Sequence, residues 1–405
     1  MLPADSHKWQ AVERAAHKVA ALYNAKQIRT PVFESADLFL RSIGDSTDIV
    51  NKEMYLFEDK GGRKMALRPE GTAGVVRSFV ENNLGETLPL KTYYIESIYR
   101  YEQPQKGRYR EHFQFGVEFF GSELPAFDVE VLNLANDFLL ELGFKNLAVE
   151  INSIGCPTCR AEYNKALREF LASVNDKICP DCKRRAVTNP LRALDCKVPS
   201  CKEIYKKAPK INDYLCDDCK AHHAFVLDAL DRSGIKYVQN PDLVRGLDYY
   251  TRTVFEFVSG GLTVLGGGRY DGLVEQLGGK HVPCVGFGSG IERLIDALDE
   301  RGVKFSNPSP AVFVAAQCEQ AREECARIVR VLRSGGISAE HDLMGKSLKA
   351  QFKYADRQGY RFVITIGESE LSSGKYSIKN MDNGDVTNIR ASEILEDVGR
   401  ITWQK

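Results

Sequence analysis

The chain has no excess of charge of either sign: 55 Lys+Arg stand against 55 Asp+Glu over 405 residues, for a formal net charge of zero. The strongly basic balance of a bulk nucleic-acid binder is therefore absent, and a polyanionic partner would have to be met by local basic patches. No apolar run approaches the roughly 18 residues of a membrane-crossing helix. The opening residues Met1, Leu2, Pro3, Ala4 and Asp5 lack the charged-then-apolar profile of a secretory leader. A cytosolic, reducing location is the expectation, with no membrane partner. Internal repeats and low-complexity segments are also missing. With 43% hydrophobic and 10% aromatic residues, the chain can build cores, which excludes a disordered one. At roughly 100 to 200 residues per domain, the length suggests two to four domains.

Cysteine is what the chain has in an uneven supply. Of its 11 cysteines, eight fall between Cys156 and Cys219. Three are Cys-x-x-Cys pairs (Cys156 and Cys159, Cys179 and Cys182, Cys216 and Cys219), and Cys196 and Cys201 form a wider one. In a reducing compartment such pairs mean metal or redox chemistry rather than disulfides. Gaps of two residues serve no packing period, whereas eight thiols are the ligand count of two tetrahedral zinc sites. An expected helix over residues 160–174, about 22 Å long, separates the first pair from the second. The first pair then joins either Cys196 and Cys201 (interleaved) or Cys216 and Cys219 (nested). Residues 183–210 carry nine Lys+Arg against two Asp+Glu, a candidate phosphate-binding surface.

Periodicity organises the rest. Trp9, Val12, Ala16, Val19 and Ala20 predict an amphipathic helix over 8–23, followed by a strand over 28–34 that carries Pro31. Strands at 93–101 and 112–120 flank a basic tip and predict an antiparallel hairpin. A strand over 251–258 is expected to lead through Gly266, Gly267 and Gly268 to a strand-turn-helix at 285–298. Residues 153–232 interrupt these β elements with helical text, as an insertion would. From Pro310 onward strands alternate with helices, predicting a small α/β domain of about 95 residues.

Strand alternation puts His112, Gln114, Gly116 and Glu118 on one face of the hairpin, and Phe113, Phe115, Val117 and Phe119 on the other. Such a polar face could simply be solvated. A mid-strand glycine, a lone Arg100 among aromatics and basic residues at the tip (Lys106, Arg108, Arg110) instead suit a phosphate-rich ligand held bidentately by arginine. In Gly286-Phe287-Gly288-Ser289-Gly290-Ile291-Glu292-Arg293-Leu294, alternate glycines permit close approach, and Arg293 leaves the first helical turn. Ile291 stands where a dinucleotide fingerprint requires its last glycine, so that reading is excluded.

Pro31 in the first strand, the Arg100 hairpin and the GFGSGIERL segment resemble motifs 1, 2 and 3 of class II aminoacyl-tRNA synthetases. LRPEGTAG (Leu67 to Gly74) and LVRGLDYYTRTVFE (Leu243 to Glu256) resemble signatures of the histidyl-tRNA synthetase family. The resemblance runs from about Trp9 to the C-terminus. It implies an α+β fold: a class II catalytic domain with an antiparallel sheet (1–152 and 233–305), the cysteine-rich insertion domain (153–232), and a C-terminal α/β anticodon-binding domain (310–405). The implied activity is that of an aminoacyl-tRNA ligase. L-histidine and ATP, with Mg2+, give histidyl-adenylate, and the histidyl group passes to the 3′-terminal ribose of histidine tRNA. Homodimerisation is implied through the Pro31 region.

The residue roles that follow are those the resemblance implies. Arg100 meets the α-phosphate, Arg293 lies along the triphosphate, and Arg245 draws the substrate carboxylate toward the phosphate. Glu102, Arg108 and His112 complete the ATP site; His112 stands where the family usually has phenylalanine against adenine, so either its imidazole stacks there or the local register shifts. Glu70, Thr72 and Gln114 hold the ammonium and carboxylate end of histidine, Glu118 and Tyr250 bracket its imidazole, and Tyr249 adds a pocket wall. Gln105 and Arg110 are candidates for the tRNA acceptor end. The family does not generally need zinc in the insertion, which makes the eight thiols structural. The competing reading is a catalytically inactive, synthetase-like regulatory subunit of ATP phosphoribosyltransferase. Such paralogues typically lose the ATP-binding arginines and the anticodon-binding domain.

Overall fold

The computed structural model describes the chain apart from residues 45, 46, 48, 104–106, 108, 308, 309, 404 and 405. Two compact units emerge, residues 1–305 and 306–405. The first is built on an eight-stranded sheet in the order Lys26–Gln27, Leu90–Tyr99, Glu111–Phe120, Cys284–Gly290, Leu262–Arg269, Thr251–Ser259, Ala148–Ser153, Tyr237–Gln239. The six inner strands are antiparallel, and each edge strand pairs in parallel.

Alternation along these strands sorts the two faces. Phe115, Val117 and Phe119, with Phe255, Phe257, Val285 and Phe287, face a core completed by helices Ser6–Leu22, Pro125–Glu141, Asp217–Arg232 and Ile291–Glu300. Ser6–Leu22 enters that core through Val12, Ala15, Ala16, Val19 and Ala20, a stripe at helical spacing. Phe115 packs 4.6 Å from Phe138 and 5.6 Å from Phe287, centroid to centroid. Each side chain buried in this way stabilises the fold by about 1.5–3 kcal/mol. The opposite face carries Gln114, Gly116 and Glu118. It is not solvated: Glu118 is 1% exposed, beneath helix Thr72–Glu81 and an aromatic cluster that includes Tyr94, Tyr249, Tyr250 and Tyr270.

Two expectations need correction. The single strand over 28–34 divides, Lys26–Gln27 joining the large sheet and Phe33–Ser35 a separate three-stranded sheet with Lys64–Leu67 and Leu56–Glu58. Pro31 has no N–H to give, and the Thr30 N–H is taken by Glu96 at 2.5 Å, so the chain leaves the first sheet there. Gly266, Gly267 and Gly268 lie inside strand Leu262–Arg269 rather than in a connection, where the Arg245 side chain fills the space of a Gly266 side chain and neighbouring backbone that of Gly267 and Gly268. A Cβ on Gly267 would stand 2.1 Å from the Gly286 carbonyl oxygen.

Between strands Ala148–Ser153 and Tyr237–Gln239 the cysteine-rich segment folds within the first unit around Tyr163, Leu167, Leu171, Ile178, Ile211 and buried thiols. Helices Pro157–Ser173, Pro180–Thr188 and Pro199–Tyr205 each begin with proline, whose missing N–H is not required at that position. The second unit has a five-stranded sheet ordered Ala339–His341, Val312–Ala316, Phe362–Ile366, Lys375–Asn380, Val386–Arg390. Its first three strands are parallel and its last two antiparallel. Helices Ala321–Ser334 and Ile394–Trp403 pack on one face and Leu348–Gln358 on the other.

Candidate active site

The floor of the site is made possible by glycine. Strand Cys284–Gly290 pairs with Glu111–Phe120 so that Gly286 faces Glu118 and Gly288 faces Gly116. A Cβ on Gly286 would lie 2.1 Å from Glu118 Oε2, one on Gly288 2.6 Å from Gln114 Nε2, and one on Gly266 2.4 Å from Arg245 Nη1. Real Cβ atoms do not approach so closely, so these positions keep the polar side chains flat on the sheet. Gly116 does the same for Tyr94, whose Cζ would be 2.1 Å from an added Cβ.

Over this floor Thr72 Oγ1–H donates to Glu118 Oε1 at 2.7 Å, and the Tyr270 hydroxyl donates to Glu118 Oε2. The Tyr94 hydroxyl lies 3.4 Å from Glu118 Oε1 and accepts from Gln114 Nε2 at 2.9 Å. Glu70 accepts the N–H groups of Thr72 and Ala73 at 2.7 and 2.8 Å, at the positive start of helix Thr72–Glu81. Burial pushes Glu118 up to about 8, against the Tyr270 and Thr72 hydrogen bonds and with help from the Glu70 carboxylate. Burial raises Glu70 as well, opposed by the N–H groups of Ala73 and Thr72. The phenols of Tyr249, Tyr250 and Tyr270 are raised by burial and stay neutral. The Tyr249 and Tyr250 rings meet at a tilt, 4.8 Å centroid to centroid, and Tyr270 closes edge-on against Tyr249 at 5.4 Å. The result is a closely packed aromatic box with a carboxyl group at its base, whose oxygens suit N–H donors.

Adjoining it, a cavity of about 430 Å3 is lined by Arg100, Glu102, His112, Gln114, Arg245 and Arg293, together with Asp195 and Lys197 from the cysteine-rich segment. Arg100 Nε–H donates to the Pro69 carbonyl at 2.8 Å. Arg293 donates to the carbonyls of Thr263 and Gly107 at 3.3 and 3.4 Å. Arg245 pairs with Glu256, and its guanidinium carbon lies 6.0 Å from the Tyr250 ring centre. The hairpin register runs unbroken from Leu90 opposite Phe120 to Tyr99 opposite Glu111, so no shift occurs at His112 and its imidazole faces the cavity. Burial, then Arg100 and Arg293, lower His112 to about 3, leaving a neutral ring. Phe113 next to it packs on the core side, its N–H held by the Glu292 carboxylate at 3.0 Å.

Arg100, Arg245, Arg293, Glu70, Thr72, Gln114, Glu118, Tyr249, Tyr250, Glu102 and His112 are thus brought to one face of one sheet. Arg110 is exposed, its guanidinium 4.5 Å from the Tyr101 ring centre, and does not line the cavity. Gln105 and Arg108 lie outside the described residues. Sequence reasoning missed Tyr94, Tyr270, Asp195 and Lys197. Tyr270 lies two residues after the triple glycine, but only the pairing of Gly286 with Glu118 reveals what its hydroxyl meets.

The cysteines form two groups, Cys156, Cys159, Cys216 and Cys219, and Cys179, Cys182, Cys196 and Cys201, with all sulfurs of a group within 4.8 Å of one another. The arrangement is the nested one. Sulfur atoms at about 2.3 Å from a tetrahedral zinc ion stand about 3.8 Å apart. Cys179 and Cys196 are 3.8 Å apart, and Cys156 and Cys159 are 3.5 Å apart. In each Cys-x-x-Cys pair the first cysteine precedes a helix and the second sits in its first turn. Burial opposes the Cys156 thiolate, but the N–H groups and thiol of this helix start lower it to about 6. Backbone N–H groups of Cys216 and Val198 also point at the sulfurs of Cys159 and Cys196, at 3.1 and 3.4 Å. The donor set and its spacing fit zinc.

Residues 1–294 match the family model described as histidyl-tRNA synthetase, and residues 311–400 that described as an anticodon binding domain. The histidine–tRNA ligase of Halothermothrix orenii is 50% identical, over 99% of this chain and 97% of its own length. That of Acetivibrio thermocellus is 49% identical, over 98% of this chain and 96% of its own. The crystal structure of apo histidyl-tRNA synthetase from S. aureus superimposes with a TM-score of 0.84 at 39% identity, covering 98% of this chain and 97% of that one. A class II catalytic sheet, its buried carboxyl and arginine-lined cavity, and likeness along nearly the whole length agree: the chain belongs to the histidyl-tRNA synthetase family.

Proposed function

We propose that this protein is a histidine–tRNA ligase in which the aromatic box reads the imidazole of L-histidine and the arginine cavity holds ATP. The carrying observation is Glu118, a buried carboxyl group between Thr72, Tyr94 and Tyr270, beside a cavity lined by Arg100, Arg245 and Arg293. A carboxyl group at one ring N–H and a phenol at the other nitrogen suit imidazole and no other proteinogenic side chain. Glu118 and Tyr250 take those roles, with Tyr249 as a wall, while Glu70, Thr72 and Gln114 hold the ammonium and carboxylate end.

The chemistry needs in-line attack. A histidine carboxylate oxygen forms a bond to the α-phosphorus, the bond from that phosphorus to the bridging oxygen breaks, and pyrophosphate leaves. Arg245 brings the carboxylate to the phosphate, Arg100 meets the charge developing on the α-phosphate, and Arg293 runs along the leaving phosphates. Glu102, Arg108 and neutral His112 complete the nucleotide site, His112 against the adenine. Mg2+ bound with ATP supplies further neutralisation of phosphate charge. A hydroxyl of the tRNA terminal ribose then attacks the histidyl carbonyl and AMP leaves, with Gln105 and Arg110 near the acceptor end. Structural zinc, two ions per chain, holds the 153–232 insertion domain, and residues 310–405 read the anticodon. The ligase reading is favoured over a regulatory subunit because all three arginines are retained alongside the second unit.

Homodimerisation is part of the proposal. Beside Pro31, the small sheet exposes Val32, Phe33, Leu56 and Phe57, at 39, 56, 60 and 42%, an apolar group suited to covering by a second copy. The working place is the cytoplasm. Histidine-dependent ATP–pyrophosphate exchange tests the reading: the purified chain is expected to exchange, and Arg245→Ala to lose at least about a hundredfold in kcat/KM, as removal of a transition-state donor does. A folded, zinc-replete parent without exchange would sink it.

A further inference from the structure

Between helices Leu191–Leu194 and Pro199–Tyr205 the chain makes a short knuckle whose centre is Cys196. Cys196 is buried, turns its sulfur toward Cys179 at 3.8 Å and accepts the Val198 N–H at 3.4 Å. Its neighbours Asp195 and Lys197 are exposed and line the same cavity as Arg100 and Arg293. They also line an adjoining cavity of about 470 Å3, which adds Lys202 and Lys206. The knuckle is held against the catalytic sheet. The buried Arg192 guanidinium donates to the Gly246 carbonyl, next to Arg245, and Arg185 Nη1 donates to the Arg192 carbonyl at 3.2 Å.

Lys197 has chemistry to spare in this position. Among the described residues its side chain forms no hydrogen bond or close salt bridge, and its charge acts on the neighbouring Asp195 carboxylate, whereas Lys206 is paired with Glu203 at 2.6 Å and Arg245 with Glu256. An exposed ammonium next to a buried thiol, lining one cavity with Arg100 and Arg293, has the charge and hydrogen-bond donors to take a phosphate. We propose that Lys197 is a substrate-binding residue of the catalytic cavity, supplied by the cysteine-rich segment, and that it takes a phosphate group. The inference rests on the ligase reading. Two sources bring that chemistry to the cavity: the triphosphate of ATP, and the phosphodiester preceding the terminal ribose of the tRNA.

Lys197→Ala and Lys197→Arg, made in the full chain and checked for parental zinc content, distinguish them. Pyrophosphate exchange by the parent tests the ligase reading by itself, so a parent that exchanges leaves the variants to test Lys197. With ATP as the source, Lys197→Ala raises KM for ATP in exchange about tenfold, the worth of one charge-assisted hydrogen bond. With the phosphodiester as the source, exchange stays within about twofold, while KM for tRNA in histidine transfer rises about tenfold. In either case Lys197→Arg recovers most of the loss. Both KM values within about twofold of the parent, or a fall in kcat alone, would overturn the assignment.

Discussion

At the scale of single residues, the site depends on placing a carboxyl group where water does not reach it. Glu118 is raised from its ordinary 4.5 to about 8, chiefly by burial. The sign of the stability effect follows: below 4.5 it is protonated in folded and unfolded chains alike, and its contribution is complete. As pH rises toward 8 the unfolded chain ionises while the folded one resists, so the unliganded protein loses stability across that window. Glu118→Gln removes this slope, and the Tm of the variant relative to the parent should therefore climb between pH 5 and 8. Parallel melting curves would contradict the assignment. His112 titrates with the opposite sign, being held neutral down to about 3; comparing Glu118→Gln with the parent cancels its contribution. Gly286 is the companion case. A methyl group there stands 2.1 Å from Glu118 Oε2, so Gly286→Ala displaces the carboxyl group. Expected is a rise of about tenfold in KM for histidine, the cost of one lost hydrogen bond in a buried site, with KM for ATP much less affected.

At the scale of elements, the cysteine-rich segment shows how short helices acquire a fixed arrangement without a large core. Each of the helices Pro157–Ser173, Pro180–Thr188 and Asp217–Arg232 is tied at its start by a Cys-x-x-Cys pair, where N–H groups and the helix dipole favour thiolate. Zinc joining Cys179, Cys182, Cys196 and Cys201 would pin helix Pro180–Thr188 to the loop at Cys196 and to helix Pro199–Tyr205, since helices this short are marginal by themselves. Cys182→Ser is expected to lower zinc from about two to about one per chain by elemental analysis, and to depress Tm by several degrees. Two ions retained in the variant, or none in the parent, would exclude the paired-site reading. The motif 2 hairpin is the complementary case: strands Leu90–Tyr99 and Glu111–Phe120 keep their register through ten pairs, and a slip of one residue would send Glu118 into the core and Phe119 into the site.

At the scale of the whole molecule, a net charge of zero coexists with concentrated local charge. The nine basic residues over 183–210 include Lys197, Lys202 and Lys206 around the two adjoining cavities, so a polyanion would be met locally rather than by a diffuse field. The exposed Phe33, Leu56 and Phe57 belong to the same scale. Phe57→Glu places a charge in the proposed interface between copies, and light scattering should report one chain's mass for the variant against two for the parent. A parent that is already a monomer would remove the dimer from the proposal.

The sequence by itself determined the chemistry that was local. Alternation named the residues of the hairpin face, spacing named the thiols, and LRPEGTAG and LVRGLDYYTRTVFE carried the family resemblance, because each depends on neighbours a few positions away along one chain. Only the tertiary structure decided what those residues meet. It joined Cys156 and Cys159 to Cys216 and Cys219, brought Tyr270 to Glu118 across 152 residues, and set Lys197 in the cavity of Arg100. It also split the strand at Pro31 and completed the second unit with the hairpin Lys375–Asn380 and Val386–Arg390. Contacts between distant segments are fixed by which surfaces exclude water together, and a linear pattern does not contain that choice.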